Sequence, residues 1–216
     1  MRTLALLTLF WAGLVLVKPA GAESWDFQDA TVGELPKGWT AAKTGEGPGS
    51  VWKVQEDATA PASAKVLAQT SAEGPNALFN LCLYSGSKFG DVDLKLSLKA
   101  LAGKIDQGGG PVWRCQDRDN YYIARLNPLE GDFRLFHVVK GKRTMLAKPI
   151  QVSEAAGTWH TIRIVHVGQH IVCYLNDKKL IEIDDDTLRE PGMIGLWTKA
   201  DAVTSFDGVS AVAPKK

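Results

Sequence analysis

The sequence has no charge excess of either sign. Lys and Arg number 25 against 24 Asp and Glu, and no basic stripe runs along any segment. The electrostatic footprint of a nucleic-acid binder is therefore missing, and no nucleic-acid partner is expected. Cysteines are scarce and odd in number: Cys82, Cys115 and Cys173. In an exported chain that count leaves a free thiol or an intermolecular bridge, and buried free thiols are the expected state. The four histidines, His137, His160, His166 and His170, lack a zinc spacing and are read as surface residues. Cys173 has no adjacent partner for a nucleophilic dyad, and Ser205 and Ser210 lack a nucleophile elbow. No segment is long and apolar enough for a stable transmembrane span, so no membrane anchor is expected.

The N-terminus instead carries the pattern of an export signal. Met1-Arg2-Thr3 is a short basic start, Leu4 to Val17 is apolar, and Ala20-Gly21-Ala22 offers a small-residue cleavage site. Residues 1–22 are read as a signal peptide, which directs the chain to the periplasm or the extracellular space. Without them the chain holds 23 basic and 24 acidic residues, a balance suited to a neutral ligand such as a sugar. Residues 23–216 are long enough for one sizeable core and are expected to form a single, monomeric domain with a short C-terminal tail.

Period-two alternation dominates that stretch. In Asp91–Leu101, Val92, Leu94, Leu96, Leu98 and Ala100 alternate with Asp93, Lys95, Ser97 and Lys99, a pattern no helix tolerates. Further strands are expected at 51–55, 65–69, 77–83, 112–116, 121–126, 133–140, 143–147, 159–167, 170–176, 178–183, 193–198 and 205–212. Gly141-Lys142, Gly168-Gln169 and Asn176-Asp177 supply hairpin turns. The one helical turn expected lies at Asp185–Leu188, capped by Asp184 or Asp185. Thr44–Ser50 and Ala58–Ala64 read as loops. Many short strands with frequent turns specify an all-β sandwich or barrel.

Residues 108–127 carry the most chemistry. Asp117 to Asn120 form a polar turn between two β-rich runs. If the strands pair symmetrically about Arg118–Asp119, then Arg114, Gln116, Tyr121 and Arg125 share one face, and Trp113, Cys115, Tyr122 and Ala124 share the other. Two guanidinium forks, an amide and a phenol suit a polyhydroxylated ligand. Trp197 projects to the same face if Ile194 and Leu196 are buried, with Asn127 and Lys199 at the rim. Trp39, Trp52 and Trp159 are assigned to packing. Cys82 falls opposite Phe79, Leu81 and Leu83. Gly108-Gly109-Gly110 opens a strand rather than a helix, so it reads as a bulge or close backbone approach instead of a phosphate loop.

Two stretches bring a family into view. Gly157-Thr-Trp-His-Thr-Ile-Arg-Ile with Ile171-Val-Cys-Tyr-Leu-Asn-Asp-Lys-Lys, and Gly192-Met-Ile-Gly-Leu-Trp-Thr-Lys-Ala with Phe206-Asp-Gly-Val, resemble concanavalin-A-like lectin/glucanase domains. With the Arg114 strand added, the pattern resembles the bacterial 3-keto-disaccharide hydrolase group, similar to family 16 glycoside hydrolases. The resemblance implies a two-sheet antiparallel jelly roll with a saccharide groove on a concave sheet. It also implies a structural calcium ion, for which Asp29 and Asp207 are the candidates; no other cofactor is required. The E-x-D-x-x-E run of family 16 glucanases is missing. Glu130-Gly-Asp132 is followed by Phe133-Arg134-Leu135, and Asp91-Val-Asp93 reads as a solvated face, so catalytic residues stay unassigned. The leading expectation is a saccharide-binding protein. The alternatives are a hydrolase of 3-keto-disaccharides or glycosides, and a structural or protein-interaction module of the envelope.

Overall fold

The computed structural model describes residues 21–214; the expected signal peptide lies, apart from its last two residues, outside them. Those residues form sixteen strands and no helix: β1 (Glu23–Trp25), β2 (Trp39–Thr44), β3 (Trp52–Glu56), β4 (Lys65–Gln69), β5 (Phe79–Phe89), β6 (Val92–Ala102), β7 (Gly110–Asp117), β8 (Asn120–Asn127), β9 (Asp132–Val139), β10 (Lys142–Met145), β11 (Ile150–Gln151), β12 (His160–Val167), β13 (His170–Leu175), β14 (Lys178–Asp184), β15 (Gly192–Lys199) and β16 (Val203–Val212). Sheet I runs β14-β13-β12-β6-β16-β4-β3, with β1 beside β16. Sheet II runs β10-β9-β8-β7-β15-β5-β2, with β11 beside β9. All strand pairs are antiparallel, and the two sheets stack as a jelly-roll sandwich.

Alternation decides the layers. Leu94, Leu96 and Leu98 of β6, with Ile162 and Ile164 of β12, meet Trp113, Tyr122, Ala124, Ile194 and Leu196 of sheet II in the main core. The polar face of β6 lies outward, where Asp93 pairs with Arg163 and Lys95 is exposed. Sheet II behaves differently. Its far face carries a second apolar cluster of Phe79, Leu81, Leu83, Val112, Cys115, Tyr121, Ile123, Phe136, Val138 and Trp197. A sheet buried on both faces loses the clean alternation of a half-solvated one, which is why Ala77–Leu83 reads as apolar at successive positions. The strand there continues to Phe89.

Hairpin turns form where positive backbone dihedrals were expected. Asn176 and Asp177 have φ of 49° and 63°, and Lys140 and Gly141 have 51° and 74°, one residue before the expected Gly141-Lys142 step. The expected helical turn at Asp185–Leu188 is replaced by bends: the Asp185 carboxylate accepts the Thr187 amide (3.0 Å) and the Tyr122 hydroxyl. β1, β2 and β11, which pattern alone did not reveal, lie beside longer strands.

Cys82, Cys115 and Cys173 are buried and free. Burial raises all three thiol pKa values, that of Cys115 to about 12. The histidine expectation is corrected at two positions. His160 is buried against Glu154 and Thr158. His166 is completely buried, its Nδ1 accepting from the Trp113 indole at 2.9 Å. Burial, helped by the nearby Arg114 charge, lowers the His166 pKa to about 4.

Candidate functional site

The β7–β8 hairpin turns where expected, with Asp117 accepting the Asp119 amide at 2.7 Å, but its register is not symmetric. Val112 pairs with Ile123, Trp113 with Tyr122, and Asp117 with Asn120. Arg114, Cys115 and Gln116 therefore stand opposite the single residue Tyr121. Arg114 absorbs the bulge with φ of 44°, the kind of kink that re-aims a side chain. Gly192 allows it, since a Cβ there would lie 2.3 Å from the Arg114 carbonyl carbon.

This bulge corrects the face assignments. Cys115 joins Tyr121 on the far face of sheet II instead of Trp113 in the main core. Arg114 points to one end of the sandwich. Its Nε donates to Gly90 O (2.8 Å), Nη1 to Leu188 O (3.1 Å) and Nη2 to Gly168 O (2.7 Å). Three loops are thus tied by one planar fork, beside an open cleft of about 510 Å³ that also touches Asp91, Asp186 and Arg189. Gln116 is exposed and donates to the Glu190 carbonyl (3.0 Å), fastening the same region. Neither belongs with Tyr121 and Arg125.

The other expected residues do come together, on the far face of sheet II. Tyr121, Arg125 and Asn127 alternate along β8, and Trp197 and Lys199 do so along β15. Gly110 of β7 pairs with Trp197. A Cβ on Gly110 would lie 1.9 Å from Ala124 O, so only glycine permits this close spacing. Tyr121 is buried, its hydroxyl within 2.8 Å of Thr44 Oγ1. Trp197 is also buried, its indole Nε1 lacking a hydrogen-bond partner. It offers no open ring face for a sugar, contrary to the stacking role expected of it.

A residue not anticipated, Asp106, is the hub of the polar end. Its carboxylate lies 3.3 Å from Arg125 Nη1, 3.3 Å from Lys199 Nζ and 3.2 Å from Asn127 Nδ2. The loop that carries it is held by Asp201, whose carboxylate accepts the amides of Lys104, Ile105 and Asp106 at 2.7–3.1 Å. Those amides outweigh burial and lower the Asp201 pKa. Arg125 continues the network through Nη2 to Glu130 (2.8 Å) and Asp132 (2.7 Å), and Arg134 bridges the same two carboxylates. The Arg125 Nε is buried without a partner. Lys199 also reaches Asn76.

Accessibility divides this network into floor and rim. Asp106, Arg125, Asn127 and Asp132 are buried, whereas the side chains of Glu130 and Arg134 are 34% and 28% exposed. The two carboxyl groups are driven apart in acidity. Burial raises the Asp106 pKa despite Arg125 and Lys199, while at Glu130 burial is outweighed by Arg125 and Arg134, which lower the pKa. Glu130 and Asp132, set aside in sequence as part of a loop, are thus central. The signal for Asp106 was its place inside the run Gly103 to Gly110, where close backbone approach brings a loop carboxylate over the sheet.

Asp207 accepts the amides of Ala62 and Gly208, each at 2.7 Å, and Asp29 lies in an exposed turn. Among the described residues no group of three or more His, Cys, Asp or Glu side chains is arranged to hold a metal, and no helix is long and apolar enough to cross a membrane.

Comparison with known structures agrees with the architecture. A carbohydrate-binding module of family 66 from Bacillus subtilis is 18% identical, with TM-score 0.64, covering 81% of this chain and 95% of the module. A family 16 endo-glucanase from Bacteroides ovatus is 12% identical, with TM-score 0.59, covering 88% and 99% respectively. The cellulose-induced protein Cip1 is 11% identical, with TM-score 0.65, covering 90% and 98%. No curated protein sequence matches the chain. The family model for the 3-keto-alpha-glucoside-1,2-lyase-like domain matches residues 27–210. The chain is a jelly-roll domain of the fold these structures share, and it belongs to the 3-keto-alpha-glucoside-1,2-lyase-like domain family.

Proposed function

We propose that the chain is an exported, monomeric saccharide-recognition domain whose ligand sits over the polar end of the far face of sheet II. Glu130 and Arg134 form the contact rim above a buried floor of Asp106, Arg125, Asn127 and Lys199. The observation that carries this reading is the network itself. A floor of paired charges holds the rim groups in fixed positions, and planar guanidinium and carboxylate groups are matched to vicinal hydroxyls. Preorganisation of this kind lowers the ordering cost of binding.

Membership in the 3-keto-alpha-glucoside-1,2-lyase-like domain family favours a second reading, cleavage of a 3-keto-disaccharide or related glycoside. Glu130, about one-third exposed and held by Arg125 and Arg134, is the carboxylate of the network open to such a substrate. Calorimetric titration with a disaccharide panel tests binding. Incubation with the same disaccharides and their 3-keto forms tests turnover. Saccharide binding without product supports the first reading, product formation supports the second, and neither result would remove both.

A further inference from the structure

Arg143 is a cation on the far face of sheet II without a counter-ion. Its guanidinium carbon lies 4.4 Å from the ring centroid of Phe136, 5.0 Å from Phe79 and 5.7 Å from Trp197. No hydrogen bond or ion pair joins it to another described residue, and its Nη1 is buried without a partner. Burial lowers its pKa and the Arg125 charge adds to that effect, only partly offset by the Asp106 carboxylate, with which it makes no ion pair. An arginine stem roofing aromatic rings is ordinary packing. Packing alone gives no reason to leave a guanidinium unpaired on the face that carries the Arg125 network.

Charge counting sharpens the point. Arg125, Arg134 and Lys199 are matched by Asp106, Glu130 and Asp132 within one connected network. Arg143, at the edge of the same face on β10, is the fourth cation. A cation partly removed from water gains most from a partner that brings both negative charge and two acceptor oxygens, as a carboxylate does. We propose that the saccharide taken by this face is acidic, carrying a uronate carboxylate, and that Arg143 is the residue that selects it. The inference rests on the saccharide-binding reading and narrows it to a substrate class.

The test is calorimetric titration of the full chain with matched pairs of disaccharides that differ only in a glucuronate in place of a glucose. The acidic member is expected to bind about tenfold tighter or more at low salt, with the advantage shrinking as salt rises. Arg143→Met keeps an apolar stem over Phe136 and Trp197 but removes the charge. It should retain the neutral affinity and lose the acidic preference, while Arg143→Lys, which keeps the charge, should restore part of that preference. Near-ultraviolet circular dichroism establishes that each variant is folded. Equal binding of both sugars by the unmodified chain, or a Met variant that still prefers the acid, overturns the uronate inference and leaves the saccharide site standing. Binding of neither sugar overturns both.

Discussion

Arg114 and Arg125 lie on adjoining strands of one hairpin, both almost free of solvent contact, and they do different work. Arg114 spends its donors on three backbone carbonyls from three loops. Its nearest carboxylate, Asp91, is 3.6 Å away and half in water. Arg125 faces three carboxylates and leaves Nε unpaired. The first arrangement closes on itself and fastens one end of the sandwich. The second is connected through Glu130 and Arg134 to exposed groups. Identical side chains thus become a clamp or a floor for a site according to what faces them, and a bulge of two extra residues decides which.

The largest effect separating the two ends is expected from Arg114→Ala. It strands three carbonyls in a buried setting and should cost about 3–5 kcal/mol in guanidinium denaturation, with Arg114→Lys recovering little because an ammonium lacks the planar fork. A loss below about 1 kcal/mol would show that the loops hold without the clamp. Next comes pH. His166 has a folded pKa of about 4 against an ordinary unfolded value near 6.5, so the unfolded chain binds more protons between them. Its contribution is therefore complete above about pH 6.5 and declines as pH falls toward 4, for a total of about 3 kcal/mol. His166→Gln, which keeps an acceptor for the Trp113 indole, should flatten that slope; an unchanged slope would assign the acid sensitivity to other groups.

The site end should show the opposite signature. Glu130→Gln is expected to weaken saccharide binding about tenfold, or 1.4 kcal/mol, while changing stability by less than about 1 kcal/mol. A large stability loss with intact affinity would recast Glu130 as part of the scaffold. The smallest effect calibrates the scale: Asp93→Asn removes the exposed pair with Arg163 on sheet I and should cost well under about 1 kcal/mol, with saccharide affinity unchanged.

Legibility in the sequence followed the physics of exposure. β6 was readable almost to the residue because one of its faces is wet, so polarity alternates with position. Sheet II is covered on both faces, and alternation there says little about which side is which. Tyr121, Arg125, Asn127, Trp197 and Lys199 were nevertheless placed together, because residues along regular stretches of β8 and β15 keep period two. Arg114, Gln116 and Cys115 were misplaced because the bulge depends on Gly192, a residue distant in sequence that permits the chains to approach. Asp106 and Arg143 were missed for a related reason. One sits on a loop held by Asp201 and the other on an edge strand, and both reach the site through contacts that no local pattern announces.

The central claim is that ligand recognition belongs to the Arg125 end and not to the Arg114 end. Nitrogen-edited NMR of the arginine Nε–H and tryptophan indole signals during titration with the disaccharide panel reads both ends at once. The account predicts saturable shifts for Arg125, Arg134, Arg143 and Trp197, with Arg114, Arg189 and Trp113 unmoved. Shifts confined to Arg114 and Arg189, beside the open cleft, would contradict it and move the site to the other end of the sandwich.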